Sequence, residues 1–174
     1  VRVLGIDPGS RVTGYGLIEV GQRQHTYLDS GCIRVTGDTL GERLGMIFRA
    51  VDALIETYTP TIMAVETVFM SRNASSALKL GQARGAAVCA GAARALLVAE
   101  YAPRSIKQAI VGRGGADKVQ IQHMIGALLA LDTPPPADAA DALAVAICHA
   151  HHAATPWAQQ AALAQVAGRG RRRR

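Results

Sequence analysis

VRVLGIDPGSRVTGYGLIEVGQRQHTYLDSGCIRV, residues 1–35, decides the fold. VRVLGID is an apolar run that closes on a carboxylate, Asp7. Pro8 and Gly9 turn the chain there, one by its fixed φ and the other by its freedom. VTGYGLIEV and HTYLDSGCIRV follow, rich in β-formers and separated by GQRQ. The stretch predicts a meander of three strands. GERLGMIFRAVDALIETY then sets Leu44, Ile47, Val51, Leu54 and Ile55 at helical spacing. Asp38 and Thr39 start that helix, and Thr59-Pro60 ends it.

TIMAVE, 61–66, is short and apolar enough for a central strand buried on both faces. It closes on Glu66. The small residues of 74–97 predict a long helix, and VAEYA is another short strand. Pro103 opens a helix through RSIKQAIVG, GRGG interrupts it, and ADKVQIQHMIGALLAL makes the next. Three prolines, 134–136, break that one, and a last helix begins at Asp138. The order is three strands, helix, strand, helix, strand and then helices. It implies a mixed five-stranded sheet, an antiparallel meander extended by parallel strands, with helices on both faces.

The 174 residues suit one domain with one core. Hydrophobic residues make up 49% of the chain, which favours a compact fold over disorder. No run reaches the length of a membrane span, and the first residues read as strand and turn rather than a signal peptide, so the expected compartment is cytoplasmic and no membrane is expected as partner. The three cysteines, Cys32, Cys89 and Cys148, stand far apart in apolar contexts and read as small buried hydrophobes. Domain limits are expected at 1–155 for the folded unit. Residues 156–174, ending in AGRGRRRR, are expected to form a basic, disordered tail.

Charge is unevenly distributed. Residues 67–118 carry eight basic groups against two acidic ones, whereas 119–168 carry three acids and no Lys or Arg. A basic middle suits a polyanion, although a solvated face would give the same count. Asp7 and Glu66 close apolar strands, and Asp138 and Asp141 stand one helical turn apart. If the first and fourth strands are neighbours with the last helix across them, four carboxylates converge. Like charges so placed oppose one another's ionisation, and burial adds to the cost. Basic residues or hard cations must answer them. No cysteine cluster offers soft ligands, and oxygen donors select Mg²⁺ or Mn²⁺. Two Mg²⁺ would balance four carboxylates, in the arrangement that clamps the attacking and leaving oxygens of a phosphodiester. Taken singly each acid has a plainer reading: helix caps for Asp138 and Asp141, an arginine partner for Glu66, turn chemistry for Asp7.

LGIDPGSRVTGYG, SGCIR, AVETVFMSRNASSALKLGQARG, IKQAIVGRGGADKVQIQHM and ADAADALAVAICH, spanning 4–149, together resemble the RuvC family of bacterial Holliday junction resolvases, in the RNase H-like nuclease superfamily. The resemblance implies an RNase H-like α/β fold and a homodimer. It implies an endonuclease that makes two symmetric Mg²⁺-dependent cuts in strands of like polarity at a four-way DNA junction, beside a branch-migration motor complex. Asp7, Glu66, Asp138 and Asp141 match the family's metal-binding acids, and two ions per site are expected. Lys107 and Lys118 match lysines near the scissile phosphate. Phe69 matches an aromatic that stacks on an unpaired base. Met70, Arg72, Asn73 and Arg104, with the two lysines, are the other candidate DNA contacts. Thr67 stands where the family pattern has Gln. The Ala- and Gly-rich helix 74–97 is the candidate dimer interface. His149, His151 and His152 are expected to be surface or capping groups.

Two other readings compete. A sugar-kinase or actin-like ATPase shares the strand–turn–strand phosphate loop, but no second such loop or adenosine motif is found. A non-catalytic DNA-binding module would use the acids structurally and leave every strand intact.

Overall fold

The computed structural model describes residues 1–67, 73–112 and 117–153. Among these residues five strands and five helices follow in the expected order: β1 (Arg2–Asp7), β2 (Val12–Glu19), β3 (Thr26–Arg34), α1 (Leu40–Tyr58), β4 (Ile62–Glu66), α2 (Ala74–Ala93), β5 (Leu97–Tyr101), α3 (Pro103–Val111), α4 (Lys118–Leu128) and α5 (Ala137–Ala153). The sheet order is β3-β2-β1-β4-β5. β1 and β2 pair antiparallel, as do β2 and β3. β4 pairs parallel with β1 on one side and β5 on the other. The expected mixed sheet is therefore present, with β1 and β4 as neighbours.

Local chemistry sets the element ends. Thr39 and Glu42 form a capping box at the start of α1, and Thr59 ends it in the left-handed region at φ 47°. The Glu42 carboxylate, accepting from the backbone of Asp38 and Thr39, is held below the usual carboxylate range by those bonds. The helix expected over 74–97 stops at Ala93 instead. Ala95 turns left-handed at φ 59°, and Leu97 is drawn into the sheet opposite Ile62. Pairing on the sheet edge overrides helical continuation there.

Alternation of side chains divides the core into two layers. Leu4, Ile6, Leu17, Met63 and Val65 pack under α1 and α2. Val3, Ile18 and Ala64 face α3, α4 and α5. α5 lies almost against the backbone of β1 and β2. A Cβ on Gly5 would collide with the carbonyl oxygen of Ala142, and one on Gly14 with that of Asp138. Glycine is required at both positions because a helix backbone occupies the space a side chain would need. The alanines of α5 complete that close approach, with Ala139, Ala140, Ala142, Ala144 and Ala146 all buried. Leu143 and Ile147 anchor the helix, each contributing about 2 kcal/mol by burial.

Two further expectations need correction. Of the cysteines only Cys148 is buried; Cys32 is half-buried and Cys89 is exposed on α2. His149 is no surface group. It is 7% exposed, and its Nδ1 lies 2.8 Å from the Tyr101 hydroxyl. Burial pulls its pKa down. The last turn of α5 points partly back into the core, and the imidazole is accommodated by that tyrosine. No helix among the described residues is long and apolar enough to cross a membrane.

Candidate active site

Asp7 and Glu66 are the last residues of parallel neighbours β1 and β4. Asp7 sits opposite Gly14 in the β1–β2 ladder, on the face covered by α5. Glu66 shares the side of β4 that Ala64 presents to the same layer. The turn after Asp7 is closed by buried Thr13, whose hydroxyl donates to the Gly9 carbonyl at 2.9 Å. Asp138 lies in the first turn of α5 and Asp141 one turn on. The glycine-permitted approach of α5 brings both to the end of β1.

Lysines arrive from the other helices of this layer. Lys107 is on α3, and Lys118 is the first residue of α4, fixed by the Asp117–Gln120 capping box. The Lys118 Nζ stands 3.7 Å from Asp141 Oδ2, with its own side chain 82% exposed. Such an exposed pair adds little to stability and leaves the ammonium free to turn outward. All six side chains line one cleft of about 360 Å³, walled on the apolar side by Pro103, Ile106, Ile121 and Ala144. A larger groove of about 720 Å³ runs along β3 and residues 129–136, but among the described residues Asp132 is the one carboxylate lining it. Volume does not mark the reactive centre; converging charge does.

Electrostatics within the cleft are strained. The Asp7 pKa is pushed up to about 8, first by burial, then by the charges of Glu66 and Asp141, a carboxyl–carboxyl hydrogen bond with Glu66, and the charge of Asp138. Glu66 is also raised, by burial first, although the hydrogen bond from Asp7 and the two lysines oppose this. Asp141 is raised by burial, with Lys118 pulling the other way. At neutral pH Asp7 thus keeps a proton that it shares with Glu66. Among the described residues, four carboxylates face two lysines in the cleft, an excess of negative charge. Yet the described residues contain no group of three His, Cys, Asp or Glu drawn together as a ready-made metal cage. The acidic donors are all oxygen, and the retained proton occupies the place of missing positive charge; this donor set fits a hard divalent cation.

A consequence can be measured by calorimetry. If the cleft takes a divalent cation such as Mg²⁺, binding at pH 7 is expected to release up to about one proton, mainly from Asp7, so the apparent heat will depend on the buffer's ionisation enthalpy. Apparent affinity should rise up to ~10-fold per pH unit below pH 8 and level off above it. Buffer-independent heats would contradict this.

Other expected site residues fall differently. Phe69, Met70 and Arg72 lie outside the described residues. Asn73 is the N-cap of α2, its side-chain oxygen accepting from Ser75 and Ser76. Arg104 is exposed on α3 and does not line the cleft. Thr67 donates both its N–H (2.9 Å) and its hydroxyl (3.3 Å) to the Tyr101 carbonyl, tying the residue after Glu66 to β5. Sequence reasoning passed over the glycines under α5. Gly5 and Gly14 in strands, each an even step from a site residue or another glycine, were the available signal.

Residues 3–149 match the family model described as crossover junction endodeoxyribonuclease RuvC. Among curated proteins, the chain is 60% identical to the crossover junction endodeoxyribonuclease RuvC of Marinobacter nauticus, over 86% of this chain and 85% of that one. It is 57% identical to the protein of the same description from Hahella chejuensis, over 87% and 88%. Among solved structures it is similar to the Thermus thermophilus RuvC in complex with Holliday junction substrate, at 34% identity and a TM-score of 0.83, covering 87% of this chain and 94% of that one.

Proposed function

The chain belongs to the family of RuvC crossover junction endodeoxyribonucleases, and on that premise we infer that the cleft of four carboxylates and two lysines is the centre with which it cuts Holliday junctions. The protein is a crossover junction endodeoxyribonuclease, a Holliday junction resolvase of RNase H-like fold. The observation that carries the assignment of the site is the meeting of Asp7, Glu66, Asp138, Asp141, Lys107 and Lys118 in one cleft.

Asp7, Glu66, Asp138 and Asp141 would hold Mg²⁺, or Mn²⁺ in its place, as two ions per cleft, which when bound supply the positive charge and water activation for phosphodiester hydrolysis. In that reaction a water oxygen joins phosphorus, the bond to O3′ breaks, and the departing oxygen takes a proton. Asp7 contributes by releasing its retained proton as the site loads. Lys107 and Lys118 reach toward the phosphate and offset the charge that grows on it. The wall of Pro103, Ile106 and Ile121 limits water around the reacting group. Before loading, the acids repel a phosphate, so chemistry is withheld from a metal-free complex. Phe69, a few residues beyond Glu66, is assigned to stacking on an unpaired base at the junction centre.

A junction has two equivalent strands to cut, and a two-fold dimer matches it. Leu78, Gly81, Gly85 and Cys89 follow one another at helical spacing along the outer side of α2. Leu78 is 64% exposed, and a Cβ on Gly81 or Gly85 would meet nothing. This stripe is the proposed contact with a second copy. Gly85→Glu should raise the dimer dissociation constant at least ~10²-fold in analytical ultracentrifugation, since it would enclose an unpaired charge. It should also turn paired cuts into scattered single nicks. A wild-type protein that sediments as a monomer would overturn the dimer proposal. Contacts with a branch-migration motor belong to the same proposal by family resemblance.

The functional test compares substrates. With Mg²⁺, a mobile four-way junction is expected to be cut at paired, symmetric positions in strands of like polarity, while duplex and flap DNA stay largely intact. Equal cutting of all three would reduce the protein to a general nuclease.

A further inference from the structure

The ladder between β4 and β5 ends at Glu66 and Tyr101, and just beyond it the Thr67 N–H still donates to the Tyr101 carbonyl at 2.9 Å. Arg84, on α2, reaches that point from the sheet face opposite the cleft. Its Nε donates to the Glu66 carbonyl at 3.3 Å, and its Nη2 lies 2.6 Å from Glu100 Oε2. Glu100 pairs with Val65, and Val65 belongs to the layer under α1 and α2. The guanidinium is therefore held at two points and grips the main chain of Glu66, not its carboxylate. Arg84's side chain is 22% exposed, and nothing places it among the residues lining the cleft.

We propose that Arg84 is a positioning residue for the reaction: fixed by Glu100, it sets the backbone height of Glu66 and hence where the Glu66 carboxylate meets a divalent cation. The planar guanidinium addresses the carbonyl and the carboxylate from two fixed directions, a geometry that a lysine ammonium on its flexible stem does not reproduce. Arg84 shares α2 with Gly81 and Gly85 of the proposed dimer stripe, so a shift of this helix would be felt at Glu66 through one side chain. The inference rests on the reading of Glu66 as a metal-binding acid.

The test measures junction cleavage across a Mg²⁺ titration, together with junction binding in EDTA. Arg84→Ala and Arg84→Lys are each expected to raise the Mg²⁺ midpoint ~10-fold and to lower kcat by ~10- to 100-fold, the range for groups that orient metal ligands. Binding in EDTA should stay within about twofold, because no phosphate contact is lost. Guanidinium ion at low millimolar concentration should restore part of the Arg84→Ala activity. Glu100→Gln, a mild change at a half-exposed carboxylate, should shift the midpoint the same way by ~3-fold, and not at all in an Arg84→Ala background. An unchanged Mg²⁺ midpoint in both Arg84 variants would overturn the proposal, as would EDTA binding that falls in step with cleavage. Glu66→Gln serves as the reference. If it cuts normally, the reading of Glu66 fails and the inference with it; if it is inactive while the Arg84 variants keep the wild-type midpoint, only the inference fails.

Discussion

Asp7→Asn is expected to lower junction cleavage by on the order of 10³-fold or more, with junction binding retained, and at the same time to make the metal-free protein harder to melt at pH 8. The two effects share one cause. Asp7 is half-buried beside three other carboxylates, and its folded-state pKa, pushed up to about 8 first by desolvation, lies far above the ordinary value. The native state therefore holds a proton between about pH 4 and pH 8 that the unfolded chain has already lost. Through this residue, native stability is highest below pH 4 and is lost as pH rises toward 8. Asparagine resembles the protonated carboxyl and never ionises. The stability gap between variant and wild type should open across that window and stay constant above it. Its size should be on the order of 1 kcal/mol, ~3 °C in melting temperature, because solvent around the incompletely enclosed carboxyl damps the full effect. A gap that is constant from pH 4 to pH 8, or of opposite sign, would contradict this picture of the cleft. The same mutation removes a carboxylate oxygen from the proposed ligand set, so Mg²⁺ should stabilise the variant less than it stabilises wild type.

Gly14→Ala should be nearly as damaging to cleavage, although the residue carries no chemistry. Its Cβ would enter the space of the Asp138 carbonyl oxygen, which is backbone and cannot swing aside. α5 must lift at the turn that carries Asp138, and Asp141 follows one turn on. A displacement approaching 1 Å of reacting groups costs on the order of 10²-fold in rate. The core under Leu143 and Ile147 keeps most of the helix in place, so the protein should still fold with a lowered melting temperature. Gly41→Ala supplies the contrast. A Cβ there meets nothing, and it lies in the first turn of α1, far from the cleft in the fold. That substitution should leave activity unchanged and stabilise by up to about 1 kcal/mol. Equal activity of Gly14→Ala and wild type would mean that the close approach of α5 does not set the acids.

The acids were legible in the sequence because their positions obey simple periodicity. A carboxylate ending an apolar strand has few neighbours other than the next strand's end, and two aspartates a turn apart share a helix face. The adjacency of β1 and β4 followed from a meander that must continue in parallel through crossover helices. Other features depend on contacts between distant segments. Nothing local in VAEYA or AICHAHH says that His149 will turn inward onto Tyr101. The early end of α2 reflects pairing of Leu97 with Ile62, which local helix propensity opposes. Arg84 looked like one more basic residue of the central segment until β4, β5 and α2 were assembled around it.

The most direct measurement is cleavage of a mobile four-way junction in Mg²⁺ by wild type and by Asp7→Asn, Glu66→Gln, Asp138→Asn and Asp141→Asn side by side, with binding measured on the same samples. Paired symmetric cuts by wild type, and four variants that bind the junction yet leave every strand intact, are the expected outcome. A wild-type protein that binds without cutting, or any one of the four variants that cuts at the wild-type rate, would contradict the assignment of these carboxylates as the cutting centre.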